Sequence, residues 1–276
     1  MASIKTIKTI SGKTSGWKHE CLQIVEQDGV VIVDELISKK EAKLLSEELE
    51  KALVLAVLEI GEDVLHRAGE RGIVRCPFIY SDVFFQLFAN NLVQELVSEL
   101  LDPAAICHLQ NGIVLKPKQS NEPLVFQENF HRDFPRYLNG YRASVNTFFC
   151  LTDFSIENGG TRFLLGSHQN SKNVIPNSHE ECIAIASSGS TIIFDSTIWH
   201  AGGLNQTKAN RNAINIQWTR SFIKQQIDLV RLIDPKTMIG LPQRSQQLLG
   251  YYTRIPTILN EYYVPPEERF YRSGQG

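Results

Sequence analysis

The stretch that decides the fold is Thr191-Ile192-Ile193-Phe194-Asp195-Ser196-Thr197-Ile198-Trp199-His200. Its first four residues are a short run rich in β-branched and aromatic side chains, which predicts a buried strand, and the polar residues after them predict a turn. His200 therefore lies just after this turn, at the end of the stretch. Another extended pattern begins at Arg211, and we expect this strand to run antiparallel to the one that precedes His200.

A second segment, Val125–Asp133, holds a histidine and an aspartate two positions apart, His131 and Asp133. In an extended chain alternate side chains point to the same face, so both groups would be presented together. Two imidazoles and one carboxylate with open positions beside them are the ligand set of a non-haem Fe(II) oxygenase. The pair alone also fits an ordinary surface turn, but His200 and Arg211 at suitable separations favour a metal site with an arginine for a carboxylate-bearing cosubstrate.

The predicted elements come in the order helices first, short strands afterwards. Ser38 and Glu41 predict a capping box at the start of a helix that runs to about Ile60. From Ile106 onward turn signals recur, which predicts a mainly β protein with flanking helices, a two-sheet antiparallel roll packed by N-terminal helices. The other expected elements are helices at Trp17–Gln27 and Asn91–Leu101, a strand at Val30–Val33 and a loop region at Gly61–Ser81.

Composition narrows the classes of protein. With 276 residues, 42% of them apolar, and no Pro/Gly/Ser-rich linker, we expect one domain over residues 1–276. The net charge of −2 gives no basic field for nucleic acid. Five widely spaced cysteines without a Cys-x-x-Cys pair favour reduced thiols. The start of the chain lacks a signal-peptide core and no run is long enough to span a bilayer, so we expect a cytoplasmic protein without a membrane partner.

Several motifs together resemble the phytanoyl-CoA dioxygenase family, including its natural-product members. Gln27–Asp34 is similar to the family's N-terminal opening. Glu157–Thr161 and Leu165–His168 are similar to its Glu-Asn-Gly and Pro-Gly-Ser-His stretches, with leucine in place of the usual proline. The resemblance covers most of the chain. The residues at the family's characteristic spacing are His131, Asp133, His200 and Arg211.

The resemblance implies a double-stranded β-helix core, also described as jelly-roll or cupin-like, with Fe(II) on the His-Asp-His set, 2-oxoglutarate as cosubstrate and O2. It implies that Arg211, Thr161 and Gln127 bind the cosubstrate, while a threonine at a strand start also has an ordinary structural explanation. The expected reaction is oxidation of a small molecule, by default hydroxylation, with release of succinate and CO2. Asp133 argues against a halogenase, which has a small residue at that position.

Two segments are candidates for binding the substrate. The aromatic and cationic loop Phe134–Arg142 follows the first ligands and can line an entrance, with ordinary surface charge as the alternative for its arginines. The stretch from Thr219 resembles segments that close over the pocket in natural-product members. The candidate substrate-binding residues are Arg136, Tyr137, Arg142, Arg220 and Phe222.

Two interpretations from other classes stay open at this point. A cupin-type metal enzyme that needs no cosubstrate would have no use for Arg211. A catalytically silent small-molecule-binding protein with the same roll would not need an intact set of ligands.

Overall fold

A computed structural model describes residues 5–118, 129–172 and 180–270. The strands are β1 Lys5–Thr6, β2 Thr9–Ser11, β3 Val30–Asp34, β4 Ile73–Arg75, β5 Ile106–Leu115, β6 Ser144–Cys150, β7 Arg162–Leu164, β8 Glu181–Ile183, β9 Thr191–Asp195, β10 His200–Ala201 and β11 Arg211–Thr219. The α-helices are α1 Trp17–Asp28, α2 Lys39–Ile60, α3 Glu62–Arg67, α4 Gln86–Ala89, α5 Asn91–Leu100, α6 Leu229–Leu232, α7 Pro235–Gly240, α8 Gln243–Leu248 and α9 Leu259–Tyr262. Short 3₁₀ turns lie at Pro77–Ile79, Asp82–Phe85, Ser167–Gln169, Tyr251–Thr253 and Pro266–Glu268.

Two sheets form the centre of the molecule. The larger has the strand order β2-β3-β9-β6-β11-β5-β4, and the smaller has the order β1-β8-β7-β10. In the larger sheet the central strands are antiparallel, with β11 between β5 and β6 and with β6 also paired to β9. An apolar cluster that includes Phe148, Phe163 and Phe194 draws on strands of both sheets. This roll with flanking helices confirms the predicted jelly-roll class.

Helices α1, α2 and α5 pack with the larger sheet around a second, larger core. Helix α2 begins with the predicted capping box, since the Ser38 hydroxyl accepts from the Glu41 amide at 3.1 Å and the Glu41 carboxylate accepts from the Ser38 amide at 2.7 Å. The helix lies close to β5 at Gly112, where a Cβ atom would overlap Leu49 Cδ1. Glycine at this position therefore sets how near the helix can approach the sheet.

Strand β11 is buried along its whole length and separates the two cores. Alternate side chains of a strand point to opposite faces. Ile214, Ile216 and Trp218 belong to the core beneath the helices. The opposite face, which begins with Arg211 and continues to Gln217, looks into the space between the sheets. The strand thus brings its odd-numbered side chains to the site described below.

The expected direction of β11 is wrong. Strand β6 lies between β9 and β11 and is antiparallel to both, so β9 and β11 run in the same direction. The chain leaves β9, crosses to the smaller sheet at β10 and then returns to the larger sheet. Periodicity reports which face of a strand is buried, but it does not report which strand is the neighbour.

The expectation of a loop at Gly61–Ser81 is also wrong, because this region contains α3 and β4. Helix α3 has acidic residues in its first turn and basic residues in its last, which suits the helix dipole. Strand β4 has three residues, too few to give an alternating pattern. The segment expected to be extended up to Asp133 is described from Asn129 onward, and there it forms a single β-bridge at His131.

The five cysteines are all buried and free. Burial raises the pKa of the Cys21 and Cys76 thiols to about 12. Across the ranges that the structure describes, no helix combines the length and the apolar character needed to cross a bilayer.

Candidate metal centre

His131 and His200 are joined through their backbones in an isolated antiparallel β-bridge. The His131 amide donates to the His200 carbonyl at 2.9 Å, and the His200 amide donates to the His131 carbonyl at 3.0 Å. Side chains that face each other in such a pair project to the same side. The two imidazole centroids are accordingly 4.3 Å apart. The main chain therefore places a loop residue and a residue of β10 side by side.

Each imidazole is also oriented by a backbone carbonyl. His131 Nδ1 lies 2.9 Å from the Asn129 oxygen, and His200 Nδ1 lies 3.1 Å from the Ile198 oxygen. Because a carbonyl oxygen can only accept, the neutral rings carry their proton on Nδ1 and present a lone pair at Nε2. The two Nε2 atoms lie 3.6 and 3.7 Å from Asp133 Oδ1.

The ligand atoms of His131, Asp133 and His200 lie within 4.8 Å of one another. Two imidazole nitrogens and one carboxylate that leave one side open are the donor set of the Fe(II) facial triad. Phe163 and Phe194 pack against the His200 ring, with centroids at 5.8 and 5.0 Å, and form an apolar wall behind it. The residues present therefore fit a non-haem iron ion.

The charge states of Asp133 and His200 suit metal binding. Burial lowers the pKa of His200 to about 4. Burial acts the same way on His131, but the hydrogen bond and charge of Asp133 outweigh it and raise the pKa of that ring. For Asp133 burial favours the neutral acid, but the charges of His200, His131 and Arg75 outweigh it and lower the pKa of the carboxyl group. At neutral pH the cluster presents an ionised carboxylate and a neutral His200.

Arg211 lies at the start of β11 with its side chain buried, 3% exposed. Its Nη1 donates to the Gly159 carbonyl at 3.0 Å, its guanidinium carbon lies 4.3 Å from the centroid of Phe154, and its Nε has no hydrogen-bond partner within the described part of the chain. Burial lowers the pKa of Arg211 to about 10, which leaves it charged at neutral pH. No carboxylate among the described residues forms an ion pair with it. A buried cation in this state fits the carboxylate of a ligand, because an unpaired buried charge is costly.

The metal cluster and Arg211 open onto one cavity of about 340 Å³. Thr161, which is 6% exposed, also lines it. Several further residues that line the cavity were not among those predicted from the sequence. The polar ones include Arg75, Asn111, Asn215 and Gln217. Asn215 and Gln217 on β11 could have been predicted from the sequence. They lie four and six positions after Arg211, so they share its face of the strand.

The structure does not bring two of the candidate substrate arginines to this cavity. Arg142 forms ion pairs with Glu26 at 2.5 Å and with Asp195 at 3.2 Å. Arg220 forms an ion pair with Asp102 at 2.7 Å. These carboxylates already provide each guanidinium with a partner.

The other candidates also lie elsewhere. Tyr137 lines a separate, smaller pocket on the side of Arg142. Arg136 is exposed, and Phe222 is 57% exposed. Gln127, expected to bind the cosubstrate, lies outside the described residues.

A double-stranded β-helix with a His-Asp-His cluster and a buried arginine on one cavity defines a non-haem iron oxygenase. The chain belongs to the phytanoyl-CoA dioxygenase family, whose model matches residues 25–213. It is 40% identical over 258 residues to the uncharacterised protein Rv1501 of Mycobacterium tuberculosis, covering 90% of this chain and 92% of the relative. It is 24% identical over 258 residues to dioxygenase swnH2 of Arthroderma benhamiae, covering 84% and 80%.

Solved structures agree on the fold. The epimerase SnoN, crystallised with Fe3+, alpha-ketoglutarate and nogalamycin RO, matches with a TM-score of 0.58 and 14% identity over 75% of this chain and 84% of that chain. The non-heme monooxygenase ThoJ in a nickel complex matches with a TM-score of 0.58 and 20% identity over 75% and 80%. Membership of the family makes the chain a dioxygenase of the non-haem iron, 2-oxoglutarate-dependent type.

Proposed function

We propose that the protein oxidises a small molecule, by default through hydroxylation, using Fe(II), 2-oxoglutarate and O2. The observation that carries the proposal is that three convergent ligand atoms and a buried arginine share one cavity. His131, Asp133 and His200 would hold the iron. Arg211 would pair with the far carboxylate of 2-oxoglutarate, because a planar guanidinium can hold a carboxylate through two parallel hydrogen bonds.

Bound together, iron and 2-oxoglutarate activate O2 and supply the oxidising power, with succinate and CO2 as the co-products. The chain's own residues orient these groups. The bridge between His131 and His200 holds two ligands on one side, and the open side faces the cavity. The ring of Phe154 over Arg211 keeps water from that guanidinium, which strengthens its attraction for a carboxylate. Thr161, which lines the same cavity, would offer the cosubstrate a hydroxyl.

A role in natural-product or secondary metabolism is part of this proposal. Its support is that SnoN was solved with nogalamycin RO, a small molecule, and that several fungal relatives bear the name dioxygenase. The five buried free thiols suit the reducing cytoplasm. A net charge of −2 gives no reason to expect a nucleic-acid substrate.

Anaerobic reconstitution followed by a turnover screen tests the proposal. Purified protein is titrated with Fe(II) and then with 2-oxoglutarate, and O2 is admitted with candidate small molecules while succinate release is measured. We expect one iron per chain and succinate formation that depends on 2-oxoglutarate. Oxidation of a substrate without 2-oxoglutarate would favour a cupin-type enzyme, and failure to bind iron would favour a silent binding protein.

A further inference from the structure

Three polar side chains form a row across three neighbouring strands in the cavity. Asn111 of β5 is in register with Arg75 of β4 on one side and with Asn215 of β11 on the other. All three line the cavity. Side chains in register on neighbouring strands project to the same face with Cβ atoms about 5 Å apart. We call Arg75, Asn111 and Asn215 the polar row.

Arg75 fixes the orientation of Asn111. Its Nη1 donates to Asn111 Oδ1 at 2.7 Å, while its Nη2 pairs with Glu70 Oε1 at 2.5 Å. Because a guanidinium can only donate, the amide oxygen of Asn111 must face Arg75, which leaves the Nδ2 group for other partners. Glu70 offsets the charge of Arg75. The row therefore offers amide hydrogen bonds more than a cationic charge.

Asn215 has an unused hydrogen-bonding atom. It is 9% exposed, and its buried Oδ1 has no hydrogen-bond partner in the described ranges. Gln217, its neighbour on the same face, does use its amide, because Gln217 Nε2 donates to the Ser144 hydroxyl at 3.1 Å. A buried amide oxygen without a partner is destabilising, so such a group at the wall of a cavity fits a ligand that donates a hydrogen bond.

The backbone of the polar row is separated from that of Arg211, the residue proposed to bind the cosubstrate. Asn215 is four residues beyond Arg211 on β11, which corresponds to about 13 Å between their Cα atoms at the usual rise of a strand. On its far side Asn215 is in register with Phe148, which gives the row an apolar end. The wall thus offers an amide pair flanked by the ring of Phe148, and this ring also lies 5.9 Å from the guanidinium carbon of Arg211.

Resting on the function proposed above, we propose that Asn111 and Asn215 bind the substrate and select one that carries a neutral hydroxyl or amide group. Asn111 Nδ2 donates to that group and Asn215 Oδ1 accepts from it. The part of the substrate beyond this group packs on Phe148. An unfunctionalised hydrocarbon of the same size cannot satisfy Asn215 and is bound more weakly.

The first part of the test separates substrate binding from cosubstrate binding. Asn111→Leu and Asn215→Leu keep much of the side-chain volume and remove the amide, and Ile113→Leu is the matched control on the same cavity wall. Each protein is loaded with Fe(II) without O2 and titrated with 2-oxoglutarate, following their joint charge-transfer absorption. We expect dissociation constants within about twofold of the unsubstituted protein. If either asparagine variant bound 2-oxoglutarate more than tenfold more weakly, the polar row would be binding the cosubstrate. That result would overturn the proposal.

The second part measures selectivity. Pairs of compounds of equal size are compared, cycloalkanols with methylcycloalkanes and N-methylamides with the matching alkanes, as stimulators of succinate formation. We expect the hydroxyl or amide member of a pair to stimulate the unsubstituted protein at least tenfold more, and Asn215→Leu to lose this preference while Ile113→Leu keeps it. Equal stimulation by both members, or stimulation by neither across the set, would overturn the proposal.

Two controls keep the outcomes distinct. If the unsubstituted protein gave no absorption with Fe(II) and 2-oxoglutarate, the proposed function itself would fail, which is a different result from loss of selectivity. Thermal unfolding checks each variant. Should Asn215→Leu not fold, Asn215→Thr takes its place, because threonine suits a strand and its shorter side chain cannot reach as far as the amide.

Discussion

The main chains of His131 and His200 hydrogen-bond to each other in both directions, at 2.9 and 3.0 Å. Two metal ligands from distant parts of the chain are therefore one structural unit before any ion binds. Their rings contribute little to this link, because the hydrogen bonds are made by amides and carbonyls. Ligand side chains can consequently be replaced without removing what holds the two segments together.

Replacing Asp133 by alanine should abolish turnover and weaken iron binding by more than about a hundredfold, because even outer-shell substitutions cost ten- to a hundredfold. His131→Ala and His200→Ala should do the same. Iron binding is measured by titration and the fold by circular dichroism. The control is His66→Ala, on an exposed face of α3. Near-normal iron affinity and activity in Asp133→Ala would contradict the assignment.

Replacing Arg211 by alanine should raise the 2-oxoglutarate requirement by tens to thousands of fold, since loss of one partner from a desolvated pair costs about 2 to 5 kcal/mol. Arg211→Lys should fall between, because lysine lacks the planar fork. The measurement is a cosubstrate titration at saturating iron. Arg231→Ala, at a largely exposed arginine, is the control. Unchanged dependence on 2-oxoglutarate would mean that the carboxylate is held elsewhere.

Arg142→Met should destabilise the fold while leaving 2-oxoglutarate binding unchanged. The Asp195 side chain is 8% exposed, and loss of a charged hydrogen-bond partner of this kind costs about 1 to 3 kcal/mol. Denaturant unfolding gives the free energy. Glu26→Gln removes the other partner, which is 76% exposed, and should cost under about 1 kcal/mol. If the order of these two effects were reversed, the structural role assigned to Arg142 would be wrong.

Gly112→Ala should lower the free energy of unfolding by about 1 to 3 kcal/mol, because the added methyl group meets Leu49 in a closely packed core. The clash makes the two positions interdependent. Leu49→Ala should therefore cost less in the Gly112→Ala background than alone, a coupling that a double-mutant cycle measures. Additive effects would show that α2 shifts to relieve the contact without involving Leu49.

Local patterns predicted much of this molecule. The capping box at Ser38, the strand at Val30 and the apolar run from Thr191 all depend on short stretches, and each is present in the structure. The direction of β11 could not be predicted in this way, because it depends on β6 lying between two strands that are close in sequence. The identity of a neighbouring strand is a property of the whole sheet.

The candidate site also has parts that the sequence predicted and parts that it did not. The spacing of His131, Asp133, His200 and Arg211 pointed to one place, and the structure brings these four side chains to one cavity. The loop after Asp133 looked like a substrate entrance because it is aromatic and cationic, yet Arg142 there is paired with Asp195. Sequence proximity to a ligand does not decide which way a loop turns. Asn111 carried no such local signal, since its position depends on cross-strand register.

Few substitutions in strand β11 should be tolerated when this enzyme is redesigned. Each of its nine residues is buried, with one face committed to the helical core and the other to the cavity. Random changes there would mix loss of solubility with altered selectivity. The edge of the same wall is more forgiving, because Ile73 lies on the short edge strand β4. A library for new substrates should begin at Ile73 and spare β11.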